Sequence, residues 1–285
     1  MNWLETGDVM RAVGEFIAED IGRGDITTTA TVPQDTRGLG RFLAKEDLVL
    51  CGLQVAEAVF FHLDPDIDEM ETTSVDGDEI GSGTVFATLK GYADVLLVGE
   101  RTALNLIQRL SGIATLTRSY VKAIDGTGAQ IVDTRKTTPG LRMLEKYAVT
   151  VGGGKNHRMG LDDGVLIKDN HIALAGGITE AVHGAKNSVG HLHKIEVEIT
   201  NWAQLREAIE AGAEIVMLDN QTPEEAAKLV QMARDLNPNV IIEASGGMDL
   251  DRVRSFAEAG VDLISVGRIT HSARAVDISF KIQAA

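Results

Sequence analysis

The chain has 285 residues, 44% of them hydrophobic and 24% charged, a balance that excludes a disordered polymer and leaves room for one large domain or two modest ones. A net charge of −15 argues against nucleic acid or an anionic membrane as partner, because both reward a basic surface. No apolar run approaches the roughly 20 residues of a membrane span.

The first twenty residues are acidic and amphipathic, without the basic start and apolar centre of a secretory signal, so a cytoplasmic location is expected. Within them Val9, Val13, Phe16 and Ile17 recur at helical spacing, and Gly22 to Gly24 end the run. From Thr36 to Gly91 short β-like runs alternate with turn signals such as Asp76-Gly77 and Gly81-Ser82-Gly83, around one helical stretch, Gln54 to Phe61. This predicts a small α+β domain. The single cysteine, Cys51, sits in LVLCGL and reads as a small core residue in a reducing compartment. Asp94 to Ile124 is predicted to be helical, with Ser111-Gly112 breaking it into two helices that bridge two domains. Arg101, Asn105 and Arg109 are spaced four apart and share one face of it.

After Gly128 the pattern changes. Six apolar runs (AQIVDTRKT, GVLIKDNH, HKIEVEIT, EIVMLDN, VIIEASGG and DLISVGR) alternate with helical segments such as Trp202 to Ala211, Pro223 to Leu236 and Leu250 to Ala259. Such alternation predicts parallel strands joined by right-handed crossovers. An α/β barrel is the expected form, although the standard barrel has eight strands; an open doubly wound sheet is the alternative. Alternate strand residues point to opposite faces, so in KIEVEI the apolar Ile195, Val197 and Ile199 face the helices and Glu196 and Glu198 point into the barrel. The same parity turns Lys168, Asp219, Glu243 and Ser245 inward. Charges there call for partners, and Lys168 or Lys136 pairing with Glu196, Glu198 or Glu243 is expected. The charges fit either buried structural pairs or an active site at the C-terminal strand ends.

The stretch from Asp133 to His171 gathers seven Lys or Arg against five Asp or Glu in an otherwise strongly acidic chain. Arg135, Lys136, His157, Arg158, Lys168 and His171 lie beside Gly-rich turns and strand ends, a pattern suited to a small molecule with several negative groups. Ser245, Gly246 and Gly247 fall between a strand and a helix, and Gly267 follows the next strand, so backbone N–H groups there suit a phosphate. VGGGKNH lacks the ending and the preceding strand of a P-loop. His191 and His193 lack the further ligands that a zinc site needs.

Taken together, these residues resemble the quinolinate phosphoribosyltransferases. EDIGRGDIT (19 to 27), ERTALNLIQRLSGIAT (100 to 115), DTRKTTPGLR (133 to 142), GGGKNHRMGLDD (152 to 163), IKDNH (167 to 171), IEVE (195 to 198), MLDN (217 to 220), EASGG (243 to 247) and ISVG (264 to 267) occur in the family order over nearly the whole chain. The resemblance implies an N-terminal α/β sandwich domain over residues 1–112, an incomplete TIM-like α/β barrel over 113–271, and a segment 272–285 returning to the first domain. It implies a homodimer, or a multiple of dimers, with shared active sites. The implied reaction joins quinolinate to phosphoribosyl pyrophosphate with Mg²⁺, giving nicotinate mononucleotide, pyrophosphate and CO2.

By the same resemblance, Arg135, His157, Arg158 and Lys168 hold the quinolinate carboxylates, joined by Arg101 from a neighbouring subunit. Lys136 stands at the substrate and pyrophosphate end. Glu198 and Asp219 stand near the ribose hydroxyls and Mg²⁺. Ser245, Gly246, Gly247 and Gly267 match the 5′-phosphate region, with His271 just beyond. Lys136, Lys168, Glu198 and Asp219 are the implied catalytic set. Three other readings fit the residues less fully: a nicotinate-specific relative, a Schiff-base phosphosugar enzyme using Lys168, and a non-catalytic metabolite sensor.

Overall fold

The computed structural model describes residues 7–285, so the opening six residues of the acidic N-terminal stretch lie outside the described residues. The chain divides into two compact units, one of residues up to Leu116 together with Ala273–Ala285, the other Thr117–Ser272. No helix of the described residues is long and apolar enough to cross a membrane.

In the first unit α1 (Gly7–Ile21) buries Val9, Val13 and Ile17, one stripe of a 3.6-residue period. A short α2 (Ile26–Thr31) follows, capped by Asp25, whose side chain accepts the N–H groups of Thr27 and Thr28. Next come β1 (Arg37–Ala44), β2 (Leu48–Val49), α3 (Leu53–Leu63), β3 (Glu71–Thr72), β4 (Glu79–Ile80) and β5 (Val85–Tyr92). Cys51 is fully buried, and burial, with the Asp76 charge, pushes its thiol well above its ordinary value. It is a core residue, as its apolar setting predicts.

The helix α4 (Ala93–Ala123) is unbroken over 31 residues. The expected break at Ser111-Gly112 is therefore wrong, and the two residues have another use. Ser111 Oγ accepts the N–H of Cys51 at 2.9 Å and donates to its carbonyl at 3.1 Å, so a polar residue is satisfied inside the core. At Gly112 a Cβ would stand 2.0 Å from the carbonyl oxygen of Arg274. The glycine is a notch for a passing backbone, and the helix tolerates it because its neighbours pack around it.

The second unit contains β6 (Gln130–Val132), α5 (Arg142–Val151), β7 (Val165–Ile167), α6 (Asp169–Ala175), α7 (Ile178–Ser188), β8 (Ile195–Ile199), α8 (Trp202–Ala211), β9 (Ile215–Asp219), α9 (Pro223–Leu236), β10 (Ile241–Ser245), α10 (Leu250–Glu258), β11 (Leu263–Ser265) and α11 (Arg268–His271). The six strands are those marked by the apolar runs; α5, α6, α7 and the short α11 are additional. The strands are parallel in the order β6-β11-β10-β9-β8-β7. From β7 to β11 each strand pairs with its successor, and the first strand, β6, pairs with the last. That is the order of a barrel, with none of the reversal that defines a doubly wound sheet. Closure is incomplete. Beside β6 the chain makes a single parallel bridge, Val132 to Lys155.

Finally β12 (Ile278–Ala284) adds to the first unit's sheet, whose order is β12-β1-β5-β3. Phe280 lies opposite Phe42 in the β1 register, their rings 4.5 Å apart between centroids. Phe60 from α3 stands 5.6 Å from Phe280, and Phe86 from β5 lies 5.9 Å from Phe42. The residues after the barrel thus complete an aromatic core for the unit that precedes it.

Because the carbonyl of Arg274 fills the notch in α4, Gly112→Ala should destabilise the protein by about 1–3 kcal/mol through overpacking, although alanine is the better helix former by about 1 kcal/mol. Chemical denaturation showing equal or greater stability would disprove the notch.

Candidate active site

The inward residues of β7 to β11 and the segments after β6 enclose a cavity of about 370 Å³, lined by Thr134, Arg135, Lys136, Arg142, His157, Arg158, Leu166, Lys168, Met217, Glu243, Ser245 and Ser265. Five of these carry a guanidinium or ammonium group. Strand parity places Leu166, Lys168, Met217, Glu243, Ser245 and Ser265, because Glu198 pairs with Met217 and Met217 with Glu243 on one level. Thr134, Arg135 and Lys136 come from the segment leaving β6, and His157 and Arg158 from the segment after Lys155.

Arg142 had no place among the expected site residues. It opens α5, and its guanidinium donates to Thr137 Oγ1 at 3.0 Å and to the Met159 carbonyl at 3.1 Å, tying together the two segments that carry Lys136 and Arg158. The turn at Gly140, just before it in DTRKTTPGLR, is the one signal that the chain folds back there. Arg158 donates to the Gly164 carbonyl at 2.9 Å. Burial, and then the like charge of Arg135, push the Arg158 guanidinium below its ordinary value, while Glu196 opposes them. Cations held close enough to repel one another are a site prepared for an anion.

Lys168 pairs with Glu198, Nζ to Oε2, at 2.5 Å, as the inward parity required. Its own N–H donates to His171 Nδ1 at 3.0 Å, so His171 serves the turn into α6. Asp219 ends β9, one oxygen accepting Asn220 Nδ2 at 2.7 Å. On the next strand Ser245 is its register partner. Gly246 then takes φ +97, and a Cβ there would stand 2.2 Å from Asn220 Oδ1, so only glycine fits. Gly247 completes the turn, again with positive φ. A Cβ at Gly267 would lie 3.1 Å from Lys136 and 3.2 Å from His271, so these three expected site residues are neighbours. Thr270 Oγ1 donates to the Lys136 carbonyl at 2.8 Å, which anchors that turn. His271 is exposed, with Nδ1 bonded to Ser272 Oγ at 2.7 Å. Arg101 is exposed on α4 in the first unit.

Below the cations lies a cluster of the opposite sign. His157 Nε2 is 3.1 Å from Glu196 Oε2 and 3.6 Å from Glu243 Oε2, and these three are the one group among the described residues with three metal-capable donors within 4.8 Å. The exposed His191 and His193 belong to no such group. His157 Nδ1 accepts the Arg158 N–H at 2.8 Å, which selects the Nε2–H form, donating to Glu196. Burial works against charging the ring, but the Glu196 hydrogen bond and the Glu243 and Glu196 charges outweigh it and raise its proton affinity. Charging it would cost the Nδ1 bond. Glu196 is 4% exposed and Glu243 1%, and Oε1 of each lacks a hydrogen-bond partner among the described residues. Burial, then the Glu196 charge, push the Glu243 carboxyl up to about 8, against His157, the Ser265 hydroxyl and Lys168.

A carboxyl raised in this way keeps its proton in the fold where the unfolded chain has released it. Its stabilising contribution is complete below the ordinary value of 4.5 and is lost progressively as the pH rises to about 8. Glu243→Gln, neutral at every pH, should therefore gain melting temperature relative to the parent chain between about pH 5 and pH 8. A constant difference across that range would mean that Glu243 is already ionised at the lower pH.

Two family models match the chain, the quinolinate phosphoribosyl transferase N-terminal domain over residues 25–111 and the C-terminal domain over 113–281. The chain is 46% identical over 283 residues to the probable nicotinate-nucleotide pyrophosphorylase (carboxylating) of Bacillus subtilis, covering 99% of this chain and 95% of that one. Among solved structures, the nicotinate-nucleotide pyrophosphorylase from Francisella tularensis superposes with a TM-score of 0.91 at 42% identity, covering 97% of this chain and 96% of that one. NadC from Streptococcus pyogenes gives 0.94 at 35% identity over the whole of both chains. With both domain models matched in order and near-complete coverage at these identities, the chain belongs to the quinolinate phosphoribosyltransferase family.

Proposed function

We propose that the cationic cavity is where quinolinate and phosphoribosyl pyrophosphate meet. The chain is a carboxylating nicotinate-nucleotide pyrophosphorylase, a pentosyltransferase of de novo NAD biosynthesis that releases nicotinate mononucleotide, pyrophosphate and CO2. The observation that carries the site assignment is the convergence of Arg135, Lys136, Arg142, Arg158 and Lys168 on one cavity. A planar dicarboxylate suits planar guanidinium forks and a point charge. In this reading Arg135, His157, Arg158 and Lys168 hold its two carboxylates. A single carboxylate, as in nicotinate, would leave this set over-provided. The ion pair of Lys168 with Glu198 speaks against a Schiff-base lysine.

The ring nitrogen of quinolinate attacks C1 of the ribose as pyrophosphate departs, and positive charge grows on the sugar. Glu198 and Asp219, on adjacent strands at the mouth, stabilise that charge. Lys136 and Lys168 serve the steps in which negative charge moves, the departure of pyrophosphate and the loss of the C2 carboxylate as CO2, whose bonding pair stays on C2 beside the pyridinium nitrogen and takes up a proton. Ser245, Gly246, Gly247 and Gly267 receive the 5′-phosphate, beside His271. Glu198 and Asp219 also suit Mg²⁺, a hard ion that takes one or two carboxylates plus water and phosphate; their half-buried oxygens at the open strand ends fit that demand. When bound, the ion neutralises charge on the pyrophosphate.

Arg158→Ala should weaken quinolinate binding by about 2–5 kcal/mol, the usual loss for one member of a desolvated charge contact, and affect phosphoribosyl pyrophosphate less. Titration calorimetry with each substrate checks this, alongside release of CO2 and pyrophosphate by the parent chain with Mg²⁺. Equal losses for both substrates would remove Arg158 from the quinolinate site.

The same reading includes a homodimer, or a multiple of dimers, in the cytoplasm. The exposed Arg101 on α4 supports a site shared across subunits, and the unpaired, buried Cys51 is at ease in a reducing compartment. In a two-fold dimer each site would combine one chain's Arg101 with the other's Arg135, Arg158 and Lys168. Mixing inactive Arg101→Ala and Lys168→Ala chains should restore activity, since the mixed dimer regains one intact site. Subunit exchange seen by mass without return of activity would place Arg101 outside a shared site.

A further inference from the structure

Behind the cavity, and not among its lining residues, stand two charges with no access to solvent. Asp133 and Lys146 are each 0% exposed, with Nζ 2.5 Å from Oδ1. Burial pushes the carboxyl up and the ammonium down from their ordinary values, and their mutual bond opposes both. The remaining hydrogen bonds of the pair converge on one short segment. Asp133 Oδ1 also accepts the N–H of His157 at 2.8 Å, and Lys146 Nζ donates to the His157 carbonyl at 2.8 Å. Asn156 Nδ2 reaches Asp133 Oδ2 at 2.6 Å and the Lys146 carbonyl at 2.8 Å. The backbone of His157 is thus gripped at its N–H by the anion and at its C=O by the cation.

Residues 156–158 have no regular secondary structure, so no ladder or helix holds the His157 ring and the Arg158 fork. Stability alone is a weak reason for such a pair, because ions in a dry interior lose their hydration and an apolar pair of similar volume packs as well or better. Geometry is the stronger reason. A guanidinium fork must meet a carboxylate within about 0.5 Å and 10–20° to be productive.

We infer that Asp133, Lys146 and Asn156 are positioning residues for quinolinate: a buried latch that fixes the backbone of His157 and so aims His157 and Arg158 into the cavity. The inference rests on the reading of that cavity as the quinolinate site. The latch touches neither the phosphate turn at Gly246 and Gly247 nor the Glu198 and Asp219 carboxylates, so its loss is felt by one substrate.

The test is a neutral double variant, Asp133→Asn with Lys146→Met, which leaves no unpaired buried charge. It should fold with a melting temperature close to the parent's, raise the KM for quinolinate about tenfold or more, and leave the KM for phosphoribosyl pyrophosphate within about twofold. Asn156→Ala, at an exposed position, keeps the ion pair and should raise the quinolinate KM about threefold to tenfold. It decides the matter if the double variant fails to fold. Arg158→Ala runs in the same assay. If Arg158→Ala loses quinolinate while the folded latch variants keep the parent KM for it, the latch is structural only and the inference is overturned, with the site reading intact. If Arg158→Ala also leaves quinolinate unaffected, the site reading falls and the inference with it.

Discussion

Charge inside a barrel has to be answered, and the second unit is arranged around that constraint. A desolvated ion is tolerated when an opposite charge or several hydrogen bonds meet it. Asp133 is met by Lys146, Glu198 by Lys168, and Glu196 by the N–H of His157. Glu243 shares that histidine and is met otherwise only by the Ser265 hydroxyl and the more distant charge of Lys168, so burial and the Glu196 charge prevail and its carboxyl is pushed up to about 8. At the mouth the compensation stops. Among the described residues Arg135, Lys136 and Arg158 have no carboxylate paired with them. The protein settles its interior charges internally and leaves an excess of positive charge facing the cavity, which on the proposed reading a substrate with several negative groups would balance.

Much of this arrangement is legible in the residue pattern, because period-two alternation in a parallel strand is a strong signal. Glu196, Glu198, Lys168, Asp219, Glu243 and Ser245 could be turned inward from parity alone, and all six runs that suggested strands form strands. What parity cannot reach is the chain between strands. Arg142 and Asn156 act through segments whose path depends on α5, a helix with no expected counterpart. Lys146 lies on that helix among the buried Leu144, Ala148 and Val149, and a lysine on an apolar stripe is ordinarily read as a surface residue at the edge of the stripe. Its partner Asp133 is thirteen positions away, beyond any local spacing rule. Ser111-Gly112 misled for a related reason: local propensity marks a break, whereas the packing of Cys51 and Arg274 makes the pair a contact surface.

The barrel's incompleteness also has a use. Where further strands would close the wall between β6 and β7, the chain makes one bridge at Lys155 and otherwise runs free of ladder pairing. Residues 133–164 can therefore carry five of the site's charged or aromatic-ring groups (Arg135, Lys136, Arg142, His157 and Arg158) around one edge of the cavity. Strand positions offer a single inward side chain every second residue; a loose edge offers more. Side-chain bonds from Arg142, Asn156 and Lys146 restore the order that the missing strands would have supplied.

The pairing of β12 with β1 bears on how the protein is made. The partner strands lie on either side of the entire barrel in sequence, and Phe280 occupies a place in the aromatic core beside Phe42 and Phe60. A ribosome releases β1 long before β12 has been synthesised. Throughout translation of the barrel the first unit has an open sheet edge and a vacant ring position, both of which invite wrong partners. The half of the molecule that emerges first is the half that must wait longest to be finished.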